Sequence, residues 1–291
     1  MPISSELMFG ILALLSYGLA DFIAKRAVDK YGPLTALKIS LILGTSVVFL
    51  YSILFVEFPQ ITLNSIIFVL LIGATGVLGW VTFYKGLEVG KVSIVSPIAS
   101  SWGILPFILA ITFLAERLTL FEILASSSIF SGIFLISVKW KEFATIAKGK
   151  LYKGAGLALI SLLGFGLAGF FVKFVVNELG PFYSVVLTRL VTIVLIFIFA
   201  TKIHTKSTKH VKFESKFIWL LFLVGLFDAI GYLSFNFGLL VGSVSIVSAV
   251  TSAIPFVVVL LAYFFLKERL DVNQYFGILL IIAGFVGLSF F

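Results

Sequence analysis

Long apolar stretches, separated by short polar turns, run through the whole chain. A transmembrane helix needs roughly 20 mostly apolar residues to cross about 30 Å of hydrocarbon, and ten stretches of the chain are close to that length. They lie near residues 7–25, 35–55, 65–84, 92–114, 120–138, 154–175, 182–201, 217–237, 244–266 and 273–291. Their residues are continuously apolar and do not alternate with a period of two, which favours helices over a barrel. We therefore predict an all-α membrane protein with ten transmembrane helices.

The composition agrees with this pattern. Of the 291 residues, 61% are hydrophobic and 12% are charged, whereas a soluble domain carries about 45–50% apolar and about 25% charged residues. So few charges cannot cover a water-soluble body of this size, which argues against a soluble enzyme, a disordered chain and a nucleic-acid-binding domain. The absence of cysteine excludes disulfides, thiolate metal sites and cysteine nucleophiles. We expect a protein of the lipid bilayer with no cofactor, no metal and no nucleic acid partner.

The net charge of +8 is concentrated in the loops of one face. The two longest loops, 139–153 and 202–216, each contain five lysines and one glutamate. Both follow odd-numbered stretches, so both lie on the same side of the membrane. Because lysine and arginine accumulate in cytoplasmic loops, we predict that this side is cytoplasmic and that both termini lie outside the cell membrane.

The chain contains an internal repeat. A shift of 152 residues aligns the identical segments Val-Ser-Ile-Val-Ser at 92–96 and 244–248, and Glu-Arg-Leu at 116–118 and 268–270. Nearer the start of each half, a shift of 148 aligns Gly32-Pro33 with Gly180-Pro181. A five-residue identity in register with a second shared motif is difficult to obtain by chance, even between two apolar segments.

The repeat divides the chain into two five-helix halves, residues 1–138 and 154–291, joined by the basic linker 139–153. Because five is odd, the second half must be inserted upside down relative to the first if both halves fold alike. Inverted repeats are typical of secondary transporters, in which the substrate site lies near the midplane where the repeats meet. We expect this cavity between the first four helices of one half and the first four of the other.

Several motifs resemble those of a known family. Residues 17–25, Tyr-Gly-Leu-Ala-Asp-Phe-Ile-Ala-Lys, resemble the first-helix signature of EamA-type members of the drug/metabolite transporter superfamily. Residues 86–93 and 114–119 are similar to that family's fourth helix and the turn that closes it, and residues 238–245 and 266–270 repeat them. The resemblance covers the whole chain and implies a ten-helix carrier that moves small metabolites, often outward, by exchange or ion coupling.

Two features depart from the family pattern. Family members commonly place an arginine early in the helix after the Gly-Pro, as Arg189 is placed eight residues after Pro181. The first half instead has Lys38, five residues after Pro33. Several relatives keep both termini in the cytoplasm, which is opposite to the orientation that the loop charges of this chain predict.

Four charged residues fall inside the predicted spans, where a charge costs at least about 2.5–3.5 kcal/mol and should be paired or line a cavity. Asp21 either pairs with Lys25 one turn later or faces a cavity, where it would bind a cation or carry a proton. Asp228 is the better candidate for a proton carrier, or it binds hydroxyls of the ninth span. Arg189 either clamps a substrate carboxylate through its planar fork or pairs with Asp228 or Asp21. Lys38 could bind substrate similarly or extend to the interface.

The fourth and ninth spans carry matching polar stripes, each next to a proline. Serines at 93, 96 and 100 recur on one helix face, as do those at 245, 248 and 252. Such small residues either allow close helix packing or line a site, where the carbonyls that Pro97 and Pro255 leave without helical partners would face a cavity. The stripe residues predicted to bind substrate are Ser96, Ser100, Ser248, Thr251 and Ser252.

Aromatic and amide side chains near these stripes complete the predicted substrate site: Trp80, Tyr84, Trp102, Tyr232 and Asn236. Because 16% of the chain is aromatic, most such residues are expected to face lipid. We interpret the two Glu-Arg-Leu turns as structural corners between helices.

These observations predict a secondary transporter of a small metabolite such as an amino acid, with no catalytic residues. It would export or exchange its substrate by alternating access, with a proton or counter-substrate as partner and a homodimer contact through the fifth and tenth helices. The alternatives are a membrane-embedded enzyme, namely an aspartyl protease using Asp21 and Asp228, or a passive channel. Neither aspartate has the Gly-x-Gly-Asp or Tyr-Asp context of such proteases, and the chain has no Walker motif for ATP.

Overall fold

Helices form every element in residues 4–90, 92–138, 148–200 and 215–290, which are the residues that this computed structural model describes. The helices are α1 (Ser5–Tyr31), α2 (Pro33–Phe55), α3 (Leu63–Val89), α4 (Val92–Ser100), α5 (Ile104–Phe113), α6 (Leu120–Ser137), α7 (Lys148–Ala200), α8 (Ser215–Val241), α9 (Val244–Thr251), α10 (Ile254–Leu266) and α11 (Val272–Ser289). The predicted loop segments 139–147 and 201–214, including most of the basic linker, lie outside the described residues.

Within the described chain, nine helical segments are long and apolar enough to cross a membrane, and the longest of them contains two spans. This 46-residue segment, Gly154–Phe199, is interrupted at Gly180, whose φ of 71° and ψ of 171° are not helical. Its counterpart Gly32, with φ of 77°, lies between α1 and α2. Glycine adopts positive φ readily, and the proline that follows each glycine favours the start of a helix. Gly180 therefore separates the sixth span from the seventh, which gives the ten spans predicted.

The fourth span (α4 and α5) and the ninth span (α9 and α10) are each interrupted in the middle. A 3₁₀ turn, Ser101–Gly103, joins α4 to α5, and Pro255 lies in the first turn of α10. The two spans cross at Gly103, where a Cβ atom would lie 2.6 Å from Ser248 O and from Ser252. The small residues at this crossing therefore allow the two backbones to approach closely.

The fifth and tenth spans, α6 and α11, show that the two halves are inverted. Ser128 Oγ donates to Leu280 O at 2.7 Å, and these two residues are repeat counterparts, 152 positions apart. Gly132, one turn later in α6, lies against Gly277, almost one turn earlier in α11. Equivalent helices thus run antiparallel about a local twofold axis, which is the geometry of an inverted repeat.

The spans of the two halves interleave in two bundles. The first span packs on the eighth and ninth and the second on the eighth, whereas the counterpart sixth and seventh spans pack on the third and fourth. We call spans one, two, eight and nine bundle A, and spans three, four, six and seven bundle B. Each bundle contains helices from both halves, so the boundary between the bundles is not the boundary between one sequence half and the other that the sequence predicted.

The largest buried apolar cluster lies on one side of the molecule. We call the face on which α1 begins the terminal face, and the other the opposite face. Ala13, Val176, Leu239 and Val247, which lie near the terminal-face ends of their spans, belong to this cluster and are at most 2% exposed. These residues come from both bundles, so the cluster holds the bundles together near the terminal face.

Candidate substrate site

An ion pair joins the two bundles midway along their spans. Arg189, on the seventh span, donates from Nη2 to the Asp228 carboxylate at 2.7 Å and to the Asp228 backbone carbonyl at 2.9 Å. Arg189 is 4% exposed, whereas the Asp228 side chain is 35% exposed. Of the roles that the sequence left open for Arg189, the structure shows the pair with Asp228.

Two tyrosines lie beside this ion pair. The guanidinium carbon of Arg189 is 5.2 Å from the centroid of the Tyr232 ring, within cation–π range. The Tyr232 hydroxyl lies 3.2 Å from Thr188 Oγ1. The Tyr17 ring, on α1, packs against Gly231, and this tyrosine interacts electrostatically with Arg189.

Asp21 lies one turn after Tyr17, on the same helix. It precedes the end of α1 by ten residues, which places it about 15 Å from the opposite-face end of the helix at about 1.5 Å per residue. Asp21 is nevertheless exposed, and it interacts electrostatically with Asp228. Lys25, which the sequence left open as a partner of Asp21, forms an ion pair with Glu268 at 3.8 Å. We call these residues the central polar cluster: Tyr17, Asp21, Arg189, Asp228 and Tyr232.

An aromatic pair lies next to the central polar cluster. Trp80 and Tyr84 on α3 stack with ring centroids 5.8 Å apart and an interplanar angle of 21°, and Tyr84 interacts electrostatically with Asp21. Both rings line a cleft between the second, third and seventh spans, and its other lining residues are Leu34, Leu37, Val77, Val81, Ile196 and Phe199. These residues lie toward the opposite-face ends of their helices, so the cleft is on that side of the cluster.

The same spans are closed together on the terminal face. The Tyr183 hydroxyl, near the start of the seventh span, donates to the carbonyls of Ser52 at 3.3 Å and Val56 at 3.2 Å, at the end of α2. Within bundle A, Glu6 accepts hydrogen bonds from the Ser243 amide at 2.7 Å and from its hydroxyl at 3.0 Å, which joins the start of α1 to the turn between α8 and α9. The cleft therefore lies on the opposite-face side of the central polar cluster, and the contact between the second and seventh spans lies on its terminal-face side.

Four other predicted site residues are packed between helices: Asn236, Ser248, Thr251 and Ser252, each with 0% exposure. Asn236 Nδ2 donates to the Pro181 carbonyl at 3.1 Å, and Ser252 lies at the crossing of the fourth and ninth spans. These positions fit the close packing that the sequence left open as one role of the stripe.

The remaining predicted residues lie at the border of the cavity or away from it. Trp102 stands edge-on to Phe235, with ring centroids 6.0 Å apart. Ser96 and Ser100 are half-buried. Lys38 places its Nζ 4.8 Å from the Phe197 ring centroid, a cation–π contact between the second and seventh spans.

The family follows from a comparison with known proteins. The model of the EamA-like transporter family matches residues 4–138 and 152–290. The chain belongs to the EamA-like transporter family. This EamA-like protein is accordingly a multi-pass membrane transporter of small molecules, and members of the family are transporters and not enzymes.

Two further comparisons agree with the repeat and the fold. The EamA-like chain is 32% identical over 133 residues to an uncharacterized protein from Methanocaldococcus jannaschii, and the match covers 46% of this chain and 93% of that protein. This relative is thus about as long as one repeat. A crystal structure of a protein that is 16% identical superposes with a TM-score of 0.81, covering 99% of this chain and 98% of the other, which shows a shared fold.

Proposed function

We propose that this transporter exports or exchanges a small zwitterionic metabolite, such as an amino acid, by alternating access between bundles A and B. The observation that carries the proposal is an arginine from one bundle facing two aspartates from the other, next to a cleft on the opposite-face side. Bundle B supplies the positive charge of Arg189, and bundle A supplies the negative charges of Asp21 and Asp228. A ligand with both charges can bind both bundles at once.

Arg189 has unused hydrogen-bonding capacity. Its Nε and Nη1 atoms are buried and have no hydrogen-bond partner within the described part of the chain. Buried donors without partners are rare and costly. A substrate carboxylate can accept from a guanidinium through two parallel bonds. An ammonium group of the same substrate would then bind Asp21 or Asp228.

The one-sided opening supports alternating access over a passive channel, since a channel must be open at both ends to conduct. The orientation that we predict from the loop charges makes the opposite face cytoplasmic. The structure would then correspond to the inward-open state of the carrier. Asp21 replaces Asp228, which the sequence favoured, as the candidate proton carrier, because Asp228 is paired with Arg189 whereas Asp21 is exposed and lies in the field of a second carboxylate.

The test is uptake into liposomes that contain the purified protein. A panel of radiolabelled amino acids is compared with amines that lack the carboxylate and with acids that lack the ammonium group. We expect saturable uptake of the zwitterion and a loss of about 10- to 100-fold for analogues missing either charge, the range for losing one charge-assisted hydrogen bond. Arg189→Lys should raise KM by a similar factor, since lysine keeps the charge but lacks the fork.

Arg26→Ala is the matched control, because Arg26 is an exposed cation near the end of α1, outside the cluster. It should transport as the wild type does. Equal uptake of zwitterion, amine and acid would overturn the proposed substrate class. Flux that rises without saturation in the wild type would overturn the carrier mechanism and favour a channel.

A further inference from the structure

The fourth and ninth spans end in identical corners. Ala115 and Lys267 have φ of 52° and 56°, the left-handed conformation that non-glycine residues seldom adopt. In each corner the next residue is a glutamate, Glu116 or Glu268, whose amide donates to the carbonyl six residues earlier at 3.3 Å. Glu116 and Glu268 therefore follow the ends of their spans in the same backbone conformation.

On the terminal face this carboxylate binds the opposite bundle. Glu116, on bundle B, accepts from the Val244 amide at 2.7 Å, from the Ser245 amide at 3.1 Å and from the Ser245 hydroxyl at 2.5 Å. These amides begin the ninth span, which belongs to bundle A. Helix N-termini present amides without internal partners and a partial positive charge, so they bind carboxylates well.

A lysine completes the contact on the terminal face. Lys173, on bundle B, donates from Nζ to the carbonyl of Leu239 and, at 3.3 Å, to that of Gly242, at the end of α8 in bundle A. It also interacts electrostatically with Glu116. One bundle thus offers a carboxylate and an ammonium group, and the α8–α9 turn of the other bundle offers the matching amides and carbonyls.

The opposite face contains the same groups in a different arrangement. The repeat counterparts of Glu116 and Lys173 are Glu268 and Lys25, both on bundle A. Lys25 Nζ lies 3.8 Å from Glu268 Oε1, and 62% of the Lys25 side chain and 55% of the Glu268 side chain are exposed. The Val92 and Ser93 amides are the repeat counterparts of the amides that Glu116 binds. The carbonyls of residues 87 and 90 are the counterparts of those that Lys173 binds, and all four groups are on bundle B.

We propose that Glu116 and Glu268 are paired gate residues that close the two faces of the transporter in turn. When the terminal face is closed, Glu116 binds the first amides of the ninth span and Lys173 binds the carbonyls just before them. When the opposite face is closed, Glu268 and Lys25 bind the corresponding groups at the start of the fourth span. In the present structure the Glu116 gate is closed, and the Glu268 gate is open. This inference rests on the alternating access proposed above and identifies the contacts that alternate.

The crossing at Gly103 explains why the two gates exclude each other. The fourth and ninth spans cross near their midpoints, so bringing their ends together on one face separates their ends on the other. Here α5 packs beside α9 on the terminal face, where Glu116 is bound. A rotation about the crossing that brings Glu268 to the Val92 and Ser93 amides would withdraw Glu116 from the Val244 and Ser245 amides.

The test measures distances between the bundles on each face. The chain has no native cysteine, so spin labels can be attached to two pairs of introduced cysteines. The pair Thr112→Cys and Val241→Cys spans the terminal face, and its repeat counterpart, Phe264→Cys with Val89→Cys, spans the opposite face. All four positions are exposed. Double electron–electron resonance on the protein in nanodiscs, without substrate, reports both separations.

Glu116→Gln should lengthen the terminal-face distance and shorten the opposite-face distance. We expect the ratio of the two states to change about tenfold, the size expected for losing one charge-assisted hydrogen bond. Glu268→Gln should favour the present state further, and the double variant should return toward the wild-type ratio. Glu57→Gln, which changes an exposed glutamate in the turn between α2 and α3, is the control and should leave both distances unchanged.

The proposal is overturned if Glu116→Gln leaves both distances unchanged, if both distances lengthen together, or if Glu268→Gln shifts the ratio in the same direction as Glu116→Gln. These distances require no substrate. Failure to find a transported solute therefore affects the proposed function and not the gates. Conversely, saturable transport with distances that do not respond to Glu116→Gln would overturn the gates alone.

Discussion

The two aspartates of the central polar cluster have different surroundings, and this difference assigns them different roles. Asp228 is held by the Arg189 guanidinium, whereas Asp21 is exposed. With two carboxylates and one guanidinium, the empty cluster can take up one further positive charge. Asp21 can take up this charge as a proton while Asp228 binds the substrate ammonium group, which is a simple physical basis for coupling transport to protons.

Asp21→Asn should therefore separate uptake driven by a pH gradient from exchange of substrate for substrate. The amide cannot carry a proton, so uptake driven by a pH gradient should fall to the rate measured without a gradient. Exchange of labelled for unlabelled substrate moves no net proton and should continue at close to the wild-type rate, because Asp228 still binds the ammonium group. Both modes are measured in the same liposomes, with and without an imposed pH difference.

Asp29→Asn is the matched control, because Asp29 is an exposed aspartate near the end of the same helix. It should keep the response to the gradient. A gradient response that survives in Asp21→Asn would remove Asp21 from the coupling mechanism and leave Asp228 or facilitated exchange.

The sequence could identify the members of the central polar cluster whose residue type is rare inside apolar spans. Asp21, Arg189 and Asp228 are conspicuous because charges inside apolar spans are uncommon, and the structure brings them together. Tyr17 gave no such signal in a chain that is 16% aromatic. The partners of Glu116 also gave no signal, because the amides that it binds lie 128 and 129 positions away.

The Gly-Pro turns between paired spans are the elements most sensitive to a single substitution. At Gly180, φ of 71° and ψ of 171° lie in a region open essentially to glycine alone, yet a Cβ there would meet no atom within 4 Å. Gly180→Ala thus tests the backbone conformation without a steric collision. We expect a loss of about 1–3 kcal/mol of stability, seen as a lower melting temperature by intrinsic fluorescence in detergent.

Gly156→Ala is the comparison variant, and its melting temperature should not fall. Gly156 is also free of contacts within 4 Å, but it lies within the helical part of α7. Alanine in a helix is favoured over glycine by up to about 1 kcal/mol, so this variant should melt at the same or a higher temperature. Equal melting temperatures for the two variants would show that the turn at Gly180 is not strained by a side chain.

Hydrophobic length and proline position predicted the elements well, whereas their packing partners could not be predicted. The ten spans follow from local sequence. The interleaving of bundles A and B does not, because apolar side chains fit many neighbouring helices as well as they fit lipid. Contacts between small residues, such as Gly132 on Gly277, decide the pairing, and glycine has no side chain that reveals its partner.

The asymmetric opening makes a prediction about the intact protein in a membrane. A cysteine at Asp21 should react with a membrane-impermeant thiol reagent from the opposite face and be protected from the terminal face. With the orientation that the loop charges predict, Asp21→Cys should be protected in intact spheroplasts and labelled in inside-out vesicles. The lack of native cysteines removes background labelling.

Ser248→Cys should stay unlabelled in both preparations, because Ser248 has 0% exposure. Labelling of Asp21→Cys in spheroplasts but not in inside-out vesicles would reverse the predicted orientation of the termini. Equal labelling from both sides would contradict a carrier that is closed on one face.

Glu6 breaks the symmetry between the two gates. Its repeat counterpart at a shift of 148 is Gly154, which carries no carboxylate, and Lys173 lies in the field of both Glu6 and Glu116. The bundle contact on the terminal face therefore has one more attractive charge than its counterpart can have. An empty carrier would rest in this state and return to the other only slowly, so the unloaded return step would limit turnover and a solute waiting on the far side would accelerate it.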